Sequence, residues 1–299
     1  MKEKLKSYLS IAVKILISAA LVSYLLYKQD VGAIKNSLAE FDYIYLAFAF
    51  VLSLLGTLVS SMRWHAILST SNYNVGVGFL YSLYIKGYLY NNFLPTQMGG
   101  DVYKAVFLGK KIKDHSTAVF SVFMDRFSGL IVLLVLGIVG ISIIYDTVGL
   151  ILALIVLIVG TFLYMPVLKL VNKLLGHKIG FIKKFLTASE LMFKNKSKGF
   201  LILSYSLLIQ IISFSATYLV FLGLNVKLKL IDVLTYMPIT SLSALIPSFN
   251  GIGTQDTVYA VLFSNAGVTE ELAVTASIII HIVRLSMSLL GGVLILFGF

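Results

Sequence analysis

The sequence predicts an all-α polytopic membrane protein, with about six full transmembrane helices and two re-entrant hairpins in an inverted repeat. Three observations carry that prediction. The 299 residues are 59% hydrophobic and only 12% charged, with a mean hydropathy of +0.95, whereas a soluble domain carries about 25% charged residues. The apolar runs are about 20 residues long, the length a helix needs to cross hydrocarbon. They do not alternate apolar with polar, so they are not strands of a barrel. Cysteine is absent, which excludes disulfides, thiol catalysis and thiolate metal sites. The histidines at 65, 115, 177 and 281 show no metal-ligand spacing, so neither metal nor cofactor is expected.

The elements follow in order. "MKEKLKSYLS" leads into an apolar run without a small-residue cleavage site, and 7–27 is read as a retained first span. Further spans are expected at 43–68, 115–145, 148–166, 199–222 and 270–298. Two apolar segments are shorter: 78–94 ends at Leu94-Pro95 and 231–246 ends at Ile246-Pro247. Each is followed by a glycine-containing loop and a short helical run, at 100–109 and 254–265. Neither run can cross ~30 Å of hydrocarbon at about 1.5 Å per residue.

Basic residues set the orientation. Lys2, Lys4 and Lys6 place the N-terminus in the cytoplasm. The segment 167–198 carries eight lysines against Glu190 and belongs on the same side. Lys110, Lys111 and Lys113 join it only if 78–109 enters and returns as a re-entrant hairpin. Backbone at such a tip survives only where it lines a protein cavity. The second hairpin, 231–266, then opens outward and both termini are cytoplasmic. The chain is thus one integral membrane domain, with repeats at about 7–145 and 148–299. Leu94-Pro95 matches Ile246-Pro247, Gly99 matches Gly251, Asp101 matches Asp256, and Arg126 matches Arg284. Inverted repeats of this kind place substrate at their interface near the bilayer midplane. Two proline kinks in ordinary helices are the blander reading, and they leave Lys110, Lys111 and Lys113 on the wrong side.

Asp125, Arg126 and Arg284 fall at mid-span, where each charge costs about 2.5–3.5 kcal/mol on insertion scales. Lys104 shares a helix face with Asp101. The blander reading of these charges is internal pairing, Asp101 with Arg126 and Asp256 with Arg284, as buried salt bridges that lock hairpin to span. The helices that start after Gly99-Gly100 and after Gly251 and Gly253 offer free N–H groups to an anion, and glycine lets backbone approach a ligand closely. Arg126, Lys104 and Arg284 would supply charge-assisted bonds to phosphate. Against this, Asp101 and Asp256 fall in the first helical turn, where an acid is itself a favoured cap; the other readings are that they hold the arginines, bind an amine headgroup or take up a proton for coupling. The polar groups Asn91, Asn92, Thr96, Gln97, Ser248 and Asn250 either meet ligand hydroxyls or satisfy loop backbone. His281 is read as making a local bond, and Trp64 with Arg63 and His65 as an interfacial anchor.

The stretches "LPTQMGGDVYK", "SVFMDRFSG", "IPSFNGIGTQD" and "VRLSMSLLGG" resemble the lysylphosphatidylglycerol synthase transmembrane-region family, the flippase-like UPF0104 membrane proteins. The resemblance covers nearly the whole chain. It implies a membrane module that moves a polar lipid between leaflets, sometimes fused to a cytosolic transferase that this chain lacks. Lys104 stands where the family often has arginine. Asp125 and Asp256 stand where it often has glutamate. By motif the resemblance carries over Pro95, Gly99, Gly100, Asp101, Lys104, Asp125, Arg126, Pro247, Gly251, Gly253, Asp256 and Arg284.

The function expected is a flippase-like transporter of an anionic or polar (phospho)lipid, in the cell membrane and not an enzyme. Its partners would be a phospholipid or polyprenyl phosphate headgroup and the anionic inner leaflet. The leaflet contact would run through 167–198, read as an amphipathic helix. No nucleic-acid partner is expected. The alternatives are an intramembrane enzyme on a lipid phosphate or polyprenyl carrier, or a non-transporting partner of a soluble synthase or transferase.

Overall fold

The computed structural model describes residues 30–93, 99–140, 195–243 and 251–298, with Ser142 and Ile151. Among these residues the chain forms nine helices and no strand. They are α1 (Val31–Ala39), α2 (Tyr43–Thr70), α3 (Val77–Phe93), α4 (Gly99–Ile112), α5 (His115–Gly140), α6 (Lys196–Gly223), α7 (Leu230–Ser243), α8 (Thr254–Ser264) and α9 (Glu270–Leu296). Four of them, α2, α5, α6 and α9, are long and apolar enough to cross a membrane. The expected spans at 43–68, 115–145, 199–222 and 270–298 meet these four. Those at 7–27 and, apart from Ile151, 148–166, the hairpin tips with Pro95, Pro247 and Asn250, and 167–194 of the basic segment lie outside the described residues.

Local chemistry explains the helix ends. Asp30 caps α1, its Oδ1 accepting from the backbone N–H of Gly32 at 2.8 Å and of Ala33 at 3.2 Å. This helix has no counterpart among the predicted elements, although Asp before an apolar stretch is its start signal. Asp114 caps α5 through the N–H of Thr117 at 3.1 Å. Thr269 caps α9, whose first turn holds Glu270 and Glu271, favoured at the positive end of the dipole. Asn72 and Asn225, at φ 63° and 57°, follow α2 and α6 in the left-handed conformation that asparagine tolerates.

The long helices turn apolar stripes outward. Ile44, Phe48, Val51 and Leu55 on α2, and Ile282, Leu285, Leu289, Val293 and Leu296 on α9, are all exposed. Both series follow the three- and four-residue steps of one helix face. A stripe of this kind is stable against lipid and is otherwise a liability.

The chain divides into two compact units. One comprises Gly56–Tyr84 and Asp101–Ile211; it holds α5 and most of α4, and its core packs Ala66, Ile67, Phe120, Met124 and Ile202. The other comprises Met1–Leu55, Ile85–Gly100 and Ile212–Phe299 and holds α1, α7, α8 and α9. Its core includes Ile34, Ala260 and Val274, together with Phe221 stacked near Tyr259 and Phe263.

Helices α3 and α4 run antiparallel. Lys111 Nζ lies 5.8 Å from the Phe79 ring and Lys104 Nζ 3.9 Å from the Tyr84 ring, and Gly87 meets Gly100. A methyl on Gly100 would stand 2.6 Å from the Gly87 carbonyl oxygen, so glycine here serves close helix packing. Helices α7 and α8 also fold back on each other. Tyr236 meets Phe263 at 5.7 Å between ring centroids, and Tyr259 O–H reaches Met237 Sδ at 3.4 Å.

Candidate functional site

In the α4–α5 unit, five ionisable side chains form one chain of contacts. Asp101, in the first turn of α4, accepts from Arg126 Nε at 2.8 Å and from Arg126 Nη2 at 3.0 Å. This is the bidentate geometry that guanidinium and carboxylate favour. Asp101 also holds Lys104 Nζ at 2.9 Å. Lys104 sits 3.8 Å from Asp125, which accepts from Arg63 Nε at 2.9 Å and from the Tyr84 hydroxyl. Arg63 also donates to Ser206 Oγ at 3.0 Å. Lys104 is only 2% exposed and lies over the rings of Tyr84 and Trp64. Three cations face two carboxylates, so the fully ionised cluster carries a net charge of +1.

The cluster is graded from core to surface. Asp125, Arg63 and Lys104 are buried, whereas the Arg126 side chain is 57% exposed. Arg126 lies on the outward stripe of α5, between exposed Val119 and Phe123 on one side and Leu134 on the other. It is about 17 Å along a helix of about 39 Å. An arginine at mid-span usually snorkels toward the headgroups. Here the two bonds to Asp101 hold the guanidinium in place and leave its remaining N–H groups facing outward.

In the α8–α9 unit, Asp256 accepts from the Gly253 N–H at 2.8 Å, from the Ser277 hydroxyl, and from His281 Nε2 at 2.9 Å. Gly251 and Gly253 have φ of 85° and 84°, in the region where glycine is at ease. The Cβ position at Gly251 is filled by the Gln255 side chain. Gln255 Oε1 accepts from Arg284 Nη1. Asn92 donates to Ser288 Oγ, and Asn91 Oδ1 accepts from the Gly100 N–H at 2.7 Å.

Several expectations change. Of the two internal pairings, Asp101 with Arg126 forms, its arginine half-exposed, but Asp256 pairs with His281 and not with Arg284. The reason is register: Asp101 to Arg126 and Asp256 to His281 are both separations of 25 residues, so His281 takes the place of Arg126 and Arg284 lies one turn beyond. The histidine thus makes a tertiary bond and not a local one. Arg63 and Trp64 are not an interfacial anchor. Both are buried, Arg63 against Asp125 and Trp64 with its indole N–H on Ser121 Oγ at 2.9 Å, while His65 Nδ1 meets the Val75 carbonyl. Arg63 was the residue missed. Its signal was a charge deep in an apolar run, masked by the adjoining Trp64 and His65. Asn91 and Gly100 serve the hairpin itself. No group of three or more metal-ligating side chains occurs among the described residues.

The sequence profile of the lysylphosphatidylglycerol synthase TM region matches residues 11–292. The chain belongs to this family. A UPF0104 membrane protein of Methanothermobacter thermautotrophicus is 25% identical over 297 residues, covering 88% of this chain and 87% of the relative. A second, from Pyrococcus horikoshii, is 25% identical over 323 residues, covering 94% and 95%. No solved structure matches. The chain is therefore an α-helical, multi-pass membrane protein of the lysylphosphatidylglycerol synthase TM-region family. In this member the glycine-motif acids Asp101 and Asp256 each reach a basic side chain on the following long helix.

Proposed function

We propose that this protein moves an anionic or polar phospholipid between leaflets, with Arg126 as the group that meets the phosphate. The observation that carries the reading is the half-exposed guanidinium fixed at mid-helix on an otherwise apolar stripe. A cation held at that depth is stabilised by an anion arriving from the side, with acyl chains along Val119 and Phe123 and the phosphate at the free N–H groups. The surplus positive charge of the cluster matches a phosphodiester monoanion.

In this reading α3–α4 and α7–α8 are re-entrant hairpins of an inverted repeat and both termini are cytoplasmic. The segment 167–198 rests on the anionic inner leaflet, where a soluble synthase or transferase could dock. A transporter is favoured over an enzyme acting on the lipid because Asp101 and Asp125, the carboxylates nearest Arg126, both hold cations and neither stands free as a base.

The test is a leaflet assay in liposomes with fluorescent phosphatidylglycerol, phosphatidylethanolamine or polyprenyl phosphate, read by dithionite quenching. Arg126→Ala is expected to slow movement by about 10- to 100-fold, the equivalent of one hydrogen bond to a charged group. Arg126→Lys, which keeps the charge and loses the fork, falls between. If no lipid moves with folded wild-type protein, or if Arg126→Ala moves it at the wild-type rate, the reading fails.

A further inference from the structure

In the α8–α9 unit a titratable imidazole stands where the α4–α5 unit has a permanent guanidinium. Asp101 is paired 25 residues on with Arg126, and Asp256 is paired 25 residues on with His281. The first pair is charge-neutral at any physiological pH. The second is neutral only when His281 is protonated, and histidine is the side chain that titrates between pH 5 and 8.

The contacts point to the same atom. Asp256, as a carboxylate, only accepts, so His281 Nε2 carries the hydrogen of their 2.9 Å bond. Nδ1 is left to take the second proton, and it is buried with no hydrogen-bond partner among the described residues. The oxygens of Asp256 are already engaged by the Gly253 N–H and the Ser277 hydroxyl. The carboxylate is thus held toward His281 and Ser277, while its chain neighbour Gln255 turns to Arg284.

Arg284 completes the arrangement. It is about 21 Å along the 40 Å of α9, partly buried, and its hydrogen-bond partner is the neutral amide oxygen of Gln255. Among the described residues it makes no ion pair with a carboxylate. His281 and Arg284, three residues apart, share a helix face. The other titratable groups around them are Tyr259 on α8 and Tyr88 on α3, both within electrostatic reach of Arg284. Lys86 lies on α3 near Gly291, and α1 offers only exposed Lys35. With His281 neutral, Asp256 offsets Arg284. With His281 protonated, Asp256 is offset by its own partner and the charge of Arg284 is left for an anion.

We propose that the Asp256–His281 pair is a proton-binding site linked to an anion site at Arg284, so that a phosphate group binds there together with a proton. For a lipid phosphate this makes the protein a proton-coupled carrier, a step that rests on the translocation reading above. The proton-linked anion site itself does not depend on that reading. Linkage is reciprocal: a proton on His281 strengthens anion binding, and a bound anion strengthens proton binding.

The experiment uses the full chain in detergent or nanodiscs, titrated calorimetrically with dihexanoyl-phosphatidylglycerol and, separately, with inorganic phosphate. Two buffers of different ionisation enthalpy report the protons exchanged. The expected result is net proton uptake on binding, with affinity rising as pH falls from 8 to 6 by at most ~10-fold per pH unit for one linked proton. His281→Gln keeps a donor for Asp256 and cannot titrate; it is expected to flatten the pH profile and abolish uptake. Tighter binding of the lipid than of phosphate assigns a headgroup, and equal binding assigns the free anion. Binding without proton exchange, uptake undiminished in His281→Gln, or no saturable binding of either probe overturns the proposal. The same protein goes into the leaflet assay under a pH gradient. If lipid crosses but no proton is exchanged, the coupling falls and translocation stands. If protons are exchanged and no lipid crosses, the site stands and translocation falls.

Discussion

A carboxylate that accepts from Arg63 and Tyr84, lies 3.8 Å from Lys104 and has no exposed surface cannot be removed without stranding buried cations. Asp125 is therefore expected to matter more for folding than Lys104, although both are buried. Asp125→Ala leaves Arg63 and Lys104 without that carboxylate, and breaking a buried pair from one side costs about 3–5 kcal/mol. Lys104→Met leaves Asp101 bonded to Arg126 and Asp125 bonded to Arg63, and the methionine replaces most of the buried stem. Its cost is expected to be under half that of Asp125→Ala. Thermal unfolding of the two variants in the same detergent decides the order; equal losses would mean that Lys104 matters to the cluster as much as Asp125 does. At this scale the sequence was legible where spacing decided the contact: Asp101 and Lys104, three apart, pair as a helix requires. It was illegible where the partner came from another helix. Nothing in "SMRWHAIL" says that its arginine meets Asp125, 62 residues on, and the adjoining tryptophan made it look interfacial.

Among the elements, the short helices on either side of the two breaks were the readable part. Proline, glycine and a length too short for hydrocarbon marked 78–94 and 100–109 before any contact was known, and α3 and α4 occupy Val77–Phe93 and Gly99–Ile112. The same holds for α7 and α8. What the glycines do was less legible, because a small residue serves ligand approach and helix approach equally well. The structure separates these uses: Gly100 lies against Gly87, and Gly291 against the backbone of Ile85. Gly100→Ala is expected to part α3 from α4 at the tip. Overpacking of this kind costs about 1–3 kcal/mol, and it also strains the Asn91 bond to the Gly100 N–H. Gly292, where a methyl would meet only the Leu89 side chain at 3.6 Å, is the control and is expected to accept alanine with little loss. Unfolding midpoints that shift alike for Gly100→Ala and Gly292→Ala would remove the close-packing explanation.

For the molecule as a whole, the open question is which ends of the helices share a side of the membrane. In the α4–α5 unit the ends of α2 and α4 and the starts of α5 and α6 are tied together. Lys198 Nζ donates to the Ser69 carbonyl at 2.7 Å, and the Tyr73 hydroxyl donates to Asp114 at 3.3 Å. Lys110, Lys111, Lys113 and Lys196 are exposed in these same segments, and basic residues favour the cytoplasm. That end should therefore be cytoplasmic, and α3–α4 should enter and leave from it. The absence of cysteine makes the test direct, since one introduced thiol is the only one in the chain. Lys111→Cys is expected to react with a membrane-impermeant maleimide only after the cells are opened. Asn265→Cys, at the exposed end of α8, is expected to react in intact cells if the proposed inverted repeat holds. If instead α3 and α4 formed one kinked span, Lys111→Cys would be labelled from outside. The proposed inverted repeat would then lose its first half, and Lys110, Lys111 and Lys113 would lie on the side that basic residues disfavour.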